Sequence, residues 1–446
     1  CYNGPMTTEQ AEKPKERAIL VAVDLPGRQN WTPEESLEEL AELVATAGGE
    51  CVATAIQRRD RRDSATFIGE GKIEEVEALR EERGASLVVF DDELSPAQLR
   101  NLSEKLGGRV LDRTSVILDI FAQRARTREG KLQVELAQLN YLLPRLIGQG
   151  GELSRLGGGI GTRGPGETKL EADRRHIRHR ISELRHAIDE VREHRHRQRA
   201  QRQESELPVV ALVGYTNAGK STLLNAVTGS EVLAENKLFA TLDPTTRLVE
   251  PPEAPPFLMT DTVGLIQKLP THLVAAFRAT LEEIVAADLI LLVVDASHPK
   301  REEMLKTVEE VLEDLGAADR PRLLVLNQVD KLPLPDGRFL HGIYPDAVSI
   351  SALTGEGLED LVRTVDRKLR EQVVRREVVI PFPQASWVDM LHRHGKVLKQ
   401  EYTAEGVSME VELEPVWARR LEAALGLERT PVPGGDSDEG ADDDDR

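Results

Sequence analysis

The sequence predicts a multidomain α/β protein, and three observations predict it. Short apolar runs alternate with helix-patterned segments from Ala18 to Leu111. A second set of apolar runs starts at Val209 and carries G-Y-T-N-A-G-K-S between a strand and a helix. A long, highly charged helical stretch separates the two sets. At 446 residues the chain exceeds one typical core, so several domains are expected. The expected division is a disordered start or artificial leader at 1–17 and a small parallel α/β domain at 18–112. A helical linker at 113–206, a nucleotide-binding domain at 207–369 and a small α+β domain at 374–428 follow, then a disordered acidic tail at 429–446.

Composition narrows the class. Two cysteines, Cys1 and Cys51, offer neither a zinc site nor a disulfide framework, which suits a reducing cytoplasm. No apolar run approaches membrane-spanning length, and the start lacks the pattern of a signal peptide. Formal net charge is -19, which argues against nucleic-acid partners for the chain as a whole. The charge is uneven, however. The end, D-S-D-E-G-A-D-D-D-D-R from Asp436, is acidic, whereas Arg174 to Arg202 is rich in arginine.

In the first domain Ala18–Val23, Cys51–Gln57, Ser86–Phe90 and Arg109–Leu111 read as strands. Pro33–Thr46, Gly71–Glu82 and Pro96–Lys105 read as helices, giving a parallel sheet. Asp24, Asp91 and Asp92 fall at strand ends, where ligands of such sheets usually sit. Ser115–Ala125 and Arg128–Leu143 are predicted helices, the second stopped by Pro144. Leu132, Leu136, Leu139 and Leu143 predict its apolar face.

The glycine-dense run Leu156–Leu170 then allows close approach to a ligand or an RNA backbone. It opens into a helix to about Gln201, with Ile177, Ile181, Leu184, Ile188 and Val191 as its apolar stripe. Arginines on the outer face can grip phosphates with two parallel hydrogen bonds. The last domain has V-V-I-P-F near Val378, a helix Ser386–His394 and a strand Val407–Leu413.

The second sheet carries the chemistry. In the loop Gly214, Tyr215, Thr216, Asn217, Ala218, Gly219, Lys220 and Ser221, backbone N–H groups can point at phosphates, helped by the helix that continues through Thr222. Lys220 is the expected contact to the β- and γ-phosphates, and Ser221 to Mg²⁺. Asp261 opens D-T-V-G and can hold the metal. The Gly264 N–H can sense the γ-phosphate. Thr241, in L-F-A-T-L-D-P-T-T-R, is the expected third metal oxygen, with Thr245 and Thr246 as rivals.

N-Q-V-D at Asn327–Asp330 gives a carboxylate that accepts guanine N1–H and N2–H₂, a pair adenine cannot supply. Asn327 is expected to brace the phosphate loop. Ser351, Ala352 and Leu353 follow a short strand, with the Ala352 N–H expected at guanine O6. These motifs predict a central Ras-like P-loop GTPase domain that turns over GTP to GDP. The residues expected in turnover are Lys220, Thr241, Gly264 and Asn217, the last as a candidate potassium ligand. Leu265 stands where many GTPases orient water with glutamine, which predicts slow intrinsic hydrolysis. Gln328 is shorter than a lysine and neutral, which predicts weaker nucleotide affinity.

On G-T-R-G-P-G-E-T-K-L-E-A-D-R-R from Gly161 to Arg175, G-Y-T-N-A-G-K-S, F-A-T-L-D-P-T-T-R and D-T-V-G, the chain resembles the HflX family of translation-associated GTPases, P-loop proteins of the TRAFAC class. Lys169 stands where that family usually has glutamine, and Gln328 where it usually has lysine. The resemblance implies binding to the 50S subunit and its 23S rRNA, and dissociation of stalled 70S ribosomes under heat or other stress. It also implies ribosome-stimulated GTPase activity, and ATP binding by the first domain, for which no motif is visible. RNA contacts are expected at Gly158, Gly159, Gly161, Arg163, Gly164, Lys169, Arg174, Arg175 and Arg178. The chain is expected to be a monomer. The competing readings are a 50S assembly or quality-control GTPase without splitting, and an RNA-binding scaffold regulated by nucleotide.

Overall fold

The computed structural model describes residues 15–27, 31–146, 165–203, 207–229, 238–252, 254–270, 281, 283–332, 342–371, 374–413 and 415–425. It divides into two compact units, residues 1–186 with 270–273 and residues 187–269 with 274–446. The boundary between the two units falls inside a long helix.

The first unit is built on a four-stranded parallel sheet ordered β2-β1-β3-β4. Its strands are β1 (Glu16–Asp24), β2 (Gly49–Arg58), β3 (Leu87–Phe90) and β4 (Arg109–Asp112). Ala18 to Val23 are buried without alternation, as a central parallel strand covered on both faces requires. Helices α1 (Pro33–Thr46), α2 (Glu70–Arg83) and α3 (Pro96–Leu106) connect them. Capping boxes Thr32/Glu35 and Ser95/Gln98, each followed by proline at the first helical position, start α1 and α3. Ile19, Val21, Phe67, Phe90 and Leu102 are among the core residues.

Helices α4 (Arg113–Arg124) and α5 (Arg128–Arg145) follow. Two expectations for α5 are corrected. The helix runs one residue past Pro144, because a proline in the last turn forfeits few hydrogen bonds and Arg145 anchors the end. Arg145 donates to the carbonyls of Tyr141 (2.9 Å) and Leu94 (3.0 Å). The buried face is Gly130, Gln133, Val134, Ala137 and Tyr141, while Leu132, Leu136, Leu139 and Leu143 are only half-buried. Polar anchoring, not the leucine stripe, sets the rotation of this helix: Tyr141 OH donates to Asp112 Oδ1 at 2.7 Å. Helix α6 spans Pro165–Gln203, with Ile181 and Leu184 buried.

The second unit holds a six-stranded sheet ordered β10-β9-β8-β5-β7-β6. The strands are β5 (Val209–Gly214), β6 (Thr245–Val249), β7 (Phe257–Asp261), β8 (Leu289–Asp295), β9 (Arg322–Asn327) and β10 (Val348–Ser349). All neighbours pair in parallel except β6, which pairs antiparallel with β7. Helices α7 (Lys220–Thr228), α8 (Arg301–Asp314) and α9 (Leu358–Glu371) belong to this domain. This is the mixed sheet of a Ras-like nucleotide-binding domain.

A three-stranded antiparallel sheet follows, ordered β11-β13-β12, from β11 (Val374–Pro381), β12 (Gly395–Tyr402) and β13 (Gly406–Leu413). Helices α10 (Ser386–His394) and α11 (Pro415–Leu425) complete the C-terminal α+β domain, cored by Val378, Ile380, Met409 and Val411. No described helix is long and apolar enough to cross a membrane.

Candidate nucleotide site

The C-terminal ends of β5, β7 and β9 gather the sequence-predicted residues. The loop after β5 turns sharply: Asn217 (φ 65) and Gly219 (φ 89) both occupy the left-handed region. Gly219 has no room for a side chain, since a Cβ there would stand 2.3 Å from Asn327 Nδ2. Asn327 Nδ2 donates to Ala218 O at 2.8 Å, and its Oδ1 accepts the Ala352 N–H at 3.0 Å. One buried amide thus ties the phosphate loop, the end of β9 and the S-A-L segment together. In this structure the Ala352 N–H therefore points at Asn327. Ser351 Oγ donates to Asp330 Oδ1 at 2.6 Å, Asp330 is exposed, and Leu353 is 78% exposed.

Lys220 is buried at the start of α7, and its Nζ donates to Gly214 O (3.1 Å) and Tyr215 O (2.8 Å). Burial pulls its ammonium pKa down to about 8, with Asp261 opposing that shift. Burial likewise raises the Asp261 carboxyl, against the pull of Lys220, Ser221 and Thr241. Both charges therefore sit in a place poor in solvent, where a phosphate or a cation has strong leverage.

Around Asp261 three oxygens converge. Ser221 Oγ donates to Asp261 Oδ2 at 2.6 Å, Thr241 Oγ1 at 2.8 Å, and the two hydroxyls lie 2.8 Å apart. Asp261 Oδ1 is buried without a hydrogen-bond partner. Hard oxygens in this number, with one carboxylate and an orphaned buried acceptor, fit Mg²⁺, which keeps several waters and takes few protein ligands. Thr245 and Thr246 lie in β6: Thr245 is the backbone ladder partner of Asp261 but sends it no side-chain bond, and Thr246 Oγ1 meets Thr260 Oγ1 at 3.0 Å. Thr216 Oγ1 is also buried and without a partner.

Gly264 packs closely on the loop: a Cβ there would lie 3.0 Å from Thr216 Cα and 3.3 Å from Lys220 Nζ. The next residue is bridged to the loop, with Leu265 N–H donating to Gly214 O (3.1 Å) and Thr216 N–H to Leu265 O (2.8 Å). Leu265 is fully buried. Tyr215 OH accepts the Gln267 N–H at 2.8 Å. Sequence reasoning missed this clasp, because nothing local pairs residue 215 with 267. It also missed the bond from Lys331 Nζ to Gln328 Oε1, although the place of Lys331 directly after Asp330 was visible.

Elsewhere the arginines of α6 sort into different tasks. Arg180 holds both carboxylate oxygens of Glu135 on α5, at 2.7 and 3.0 Å, and its guanidinium pKa is raised by that bonding. Arg174 is half-buried beside Glu171. Arg178 is exposed, 3.6 Å from the same carboxylate. Arg175 and Arg185 are exposed and make no ion pair among the described residues. Arg175, His179, Ser182 and His186 recur at helical spacing opposite the buried Ile181 and Leu184. Gly158, Gly159, Gly161, Arg163 and Gly164 lie outside the described residues, as does the Lys169 side chain.

The aspartates at the first sheet's strand ends are engaged. Asp91 Oδ1 accepts from Arg113 (2.8 Å) and Oδ2 from Ser36 (2.7 Å), and Arg113 also pairs with Glu39. Asp92 pairs with Arg62 at 3.0 Å and Asp24 with Arg58 at 3.7 Å.

A phosphate loop, a buried aspartate opening D-T-V-G and an N-x-x-D segment on one mixed sheet define a P-loop GTPase, a GTP hydrolase that uses Mg²⁺. The comparisons with known proteins narrow this further. Family models match residues 34–122 (GTP-binding GTPase N-terminal), 124–202 (GTP-binding GTPase Middle Region), 209–328 (50S ribosome-binding GTPase) and 343–434 (HflX C-terminal domain). The GTPase HflX of Caldanaerobacter subterraneus is 48% identical over 405 residues, 91% of this chain and 92% of that one. The GTPase HflX of Escherichia coli is 42% identical over 410 residues, 91% of this chain and 95% of that one. A GTP-binding protein of Sulfolobus solfataricus, solved with GDP, is 23% identical at a TM-score of 0.41, covering 79% of this chain and 98% of that one. The chain belongs to the HflX family.

Proposed function

We propose that this GTPase binds the 50S ribosomal subunit and dissociates stalled or idle 70S ribosomes, under heat or other stress. The observation that carries the RNA-bound partner is the outer face of α6, where Arg175, Arg178 and Arg185 stand exposed with His179 and His186 on an otherwise acidic protein. Such a face meets the phosphates of 23S rRNA, and Gly158, Gly159, Gly161, Arg163, Gly164 and Lys169, which precede it in the sequence, are proposed as further RNA contacts. The family model matching residues 209–328 carries a 50S ribosome-binding description, which supports the same partner.

In this reading the backbone of residues 214–222 cradles the phosphates, and Lys220 turns from the loop carbonyls to the β- and γ-phosphates. Ser221, Thr241 and Asp261 hold Mg²⁺, which neutralises phosphate charge. Asp330 accepts the guanine N1–H and N2–H₂ while Ser351 orients it, and Asn327 keeps the phosphate loop in register. Ala352 and Leu353 close the base side. The Gly264 N–H senses the γ-phosphate in this reading, and Thr241 couples that phosphate to the segment before β6. Leu265 has no group to orient water, so the intrinsic rate is low and the ribosome supplies the trigger. Asn217, exposed at the loop's bend, is the proposed potassium ligand. ATP in the first domain has no comparable support, since Asp91 is already bonded through both oxygens. The protein acts as a cytoplasmic monomer.

GTP hydrolysis measured alone and with purified 50S subunits, beside sedimentation of 70S particles, tests the proposal. Strong stimulation with loss of 70S supports it. Stimulation without splitting would replace it with an assembly or quality-control role.

A further inference from the structure

The loop leaving β9 puts Gln328 in the left-handed region, φ 64 and ψ 31. Its side-chain amide is bonded at both ends. Nε2 donates to the Asn217 carbonyl at 2.9 Å, and Oε1 accepts from Lys331 Nζ. Two successive carbonyls of the phosphate loop are therefore held by two successive side-chain amides: Ala218 O by Asn327 and Asn217 O by Gln328. The first tie is buried and the second exposed, so water competes only for the second.

That exposed tie has a reinforcement. An ammonium donating to an amide oxygen polarises the amide and makes its N–H a stronger donor, so Lys331, Gln328 and Asn217 form one polarised chain. Lys331 makes no ion pair among the described residues. A phosphate loop with two left-handed residues gains from such a hold, because it must keep its shape through nucleotide exchange.

We propose that Lys331 is a positioning residue of the guanine pocket. It acts through Gln328 to hold the phosphate loop against the base-recognition segment, returning from three residues downstream the positive charge that glutamine lacks. This rests on the reading of Asn327–Asp330 as that segment.

The test is GDP release from the full chain, followed with a fluorescent GDP analogue, with melting curves to show that each variant is folded. Lys331→Met keeps the aliphatic stem and removes the charge. It should speed release and weaken GDP binding about three-fold, the size of an exposed charge-assisted contact. Lys331→Arg should retain the parent value. In the Gln328→Lys background Lys331→Met should have no effect, because the charge is then supplied directly. No change on Lys331→Met in the parent chain would overturn the relay. Equal loss in both backgrounds would also overturn it, since Lys331 would then act without Gln328. Asp330→Ala separates the two ideas: if GDP affinity survives it, the pocket reading itself fails. If affinity falls but Lys331 and Gln328 do not couple, only the relay fails.

Discussion

The first two sheets place aspartates at the same kind of position, the carboxyl ends of their parallel strands, and use them in opposite ways. In the first unit Asp91 and Asp112 are saturated. Arg113 and Ser36 bond the first; Leu94 N–H, Ser115, Tyr141 and Arg145 bond the second. In the second unit Asp261 keeps a buried oxygen with no partner, and its carboxyl is pushed up by burial. The saturated pair fastens helices, whereas the open Asp261 oxygen leaves a position that a ligand can take. The network at Asp112 fixes α4 and α5 to the first sheet, and burial with Asp112 close by raises the Tyr141 phenol well above its usual range.

Substitutions can break or sharpen this contrast. The largest expected effect is on the base. Asp330→Ala should weaken GDP binding by about 10⁴-fold while leaving the melting temperature close to the parent, measured by nucleotide titration and thermal unfolding. A small loss would remove guanine recognition from that carboxylate. Arg113→Ala should do the reverse. It strands Asp91 and Glu39 in the interior and should cost about 3–5 kcal/mol of first-unit stability in a urea titration, with GTP affinity unchanged.

Asp261→Asn sharpens the comparison further. Its hydrolysis should fall about 10²–10³-fold. The folded carboxyl titrates above its unfolded value, so the charged form opposes folding and stability falls as pH rises through that window. The nucleotide-free variant should accordingly equal or exceed the parent in melting temperature at neutral pH, with the gain disappearing in acid. A clear drop in melting temperature at pH 7 would show that Asp261 is structural after all. On α6, Arg175→Ala and Arg185→Ala should each lower the salt slope of rRNA binding by about one, whereas Arg180→Ala should loosen the helix and leave that slope unaltered. The smallest effect is expected of Leu265→Gln, with basal hydrolysis changing about two-fold or less, because that position is buried and its backbone is clasped to the phosphate loop.

Much of this molecule was legible in order along the chain. Helix α1 falls at its predicted bounds because a capping box and a first-turn proline are local signals. The GTP motifs were legible for a related reason. Each is a short segment at the end of a strand, and its chemistry depends on residue type and spacing.

What the sequence by itself determined was the family and the Ras-like sheet, and it named the segments that the structure gathers at the ends of β5, β7 and β9. All of these are written in contiguous runs. Tertiary structure alone decided which threonine reaches Asp261, since Thr241, Thr245 and Thr246 look alike until β6 pairs with β7. It decided which face of α5 is buried, because Tyr141 bonding to Asp112 outweighs a half-buried row of leucines. It sorted the α6 arginines into the fastener Arg180 and the exposed Arg175 and Arg185, and joined Tyr215 to Gln267. Pairings between residues distant in the chain leave no local trace, because a hydrogen bond depends on where two side chains meet and not on how far apart they are written.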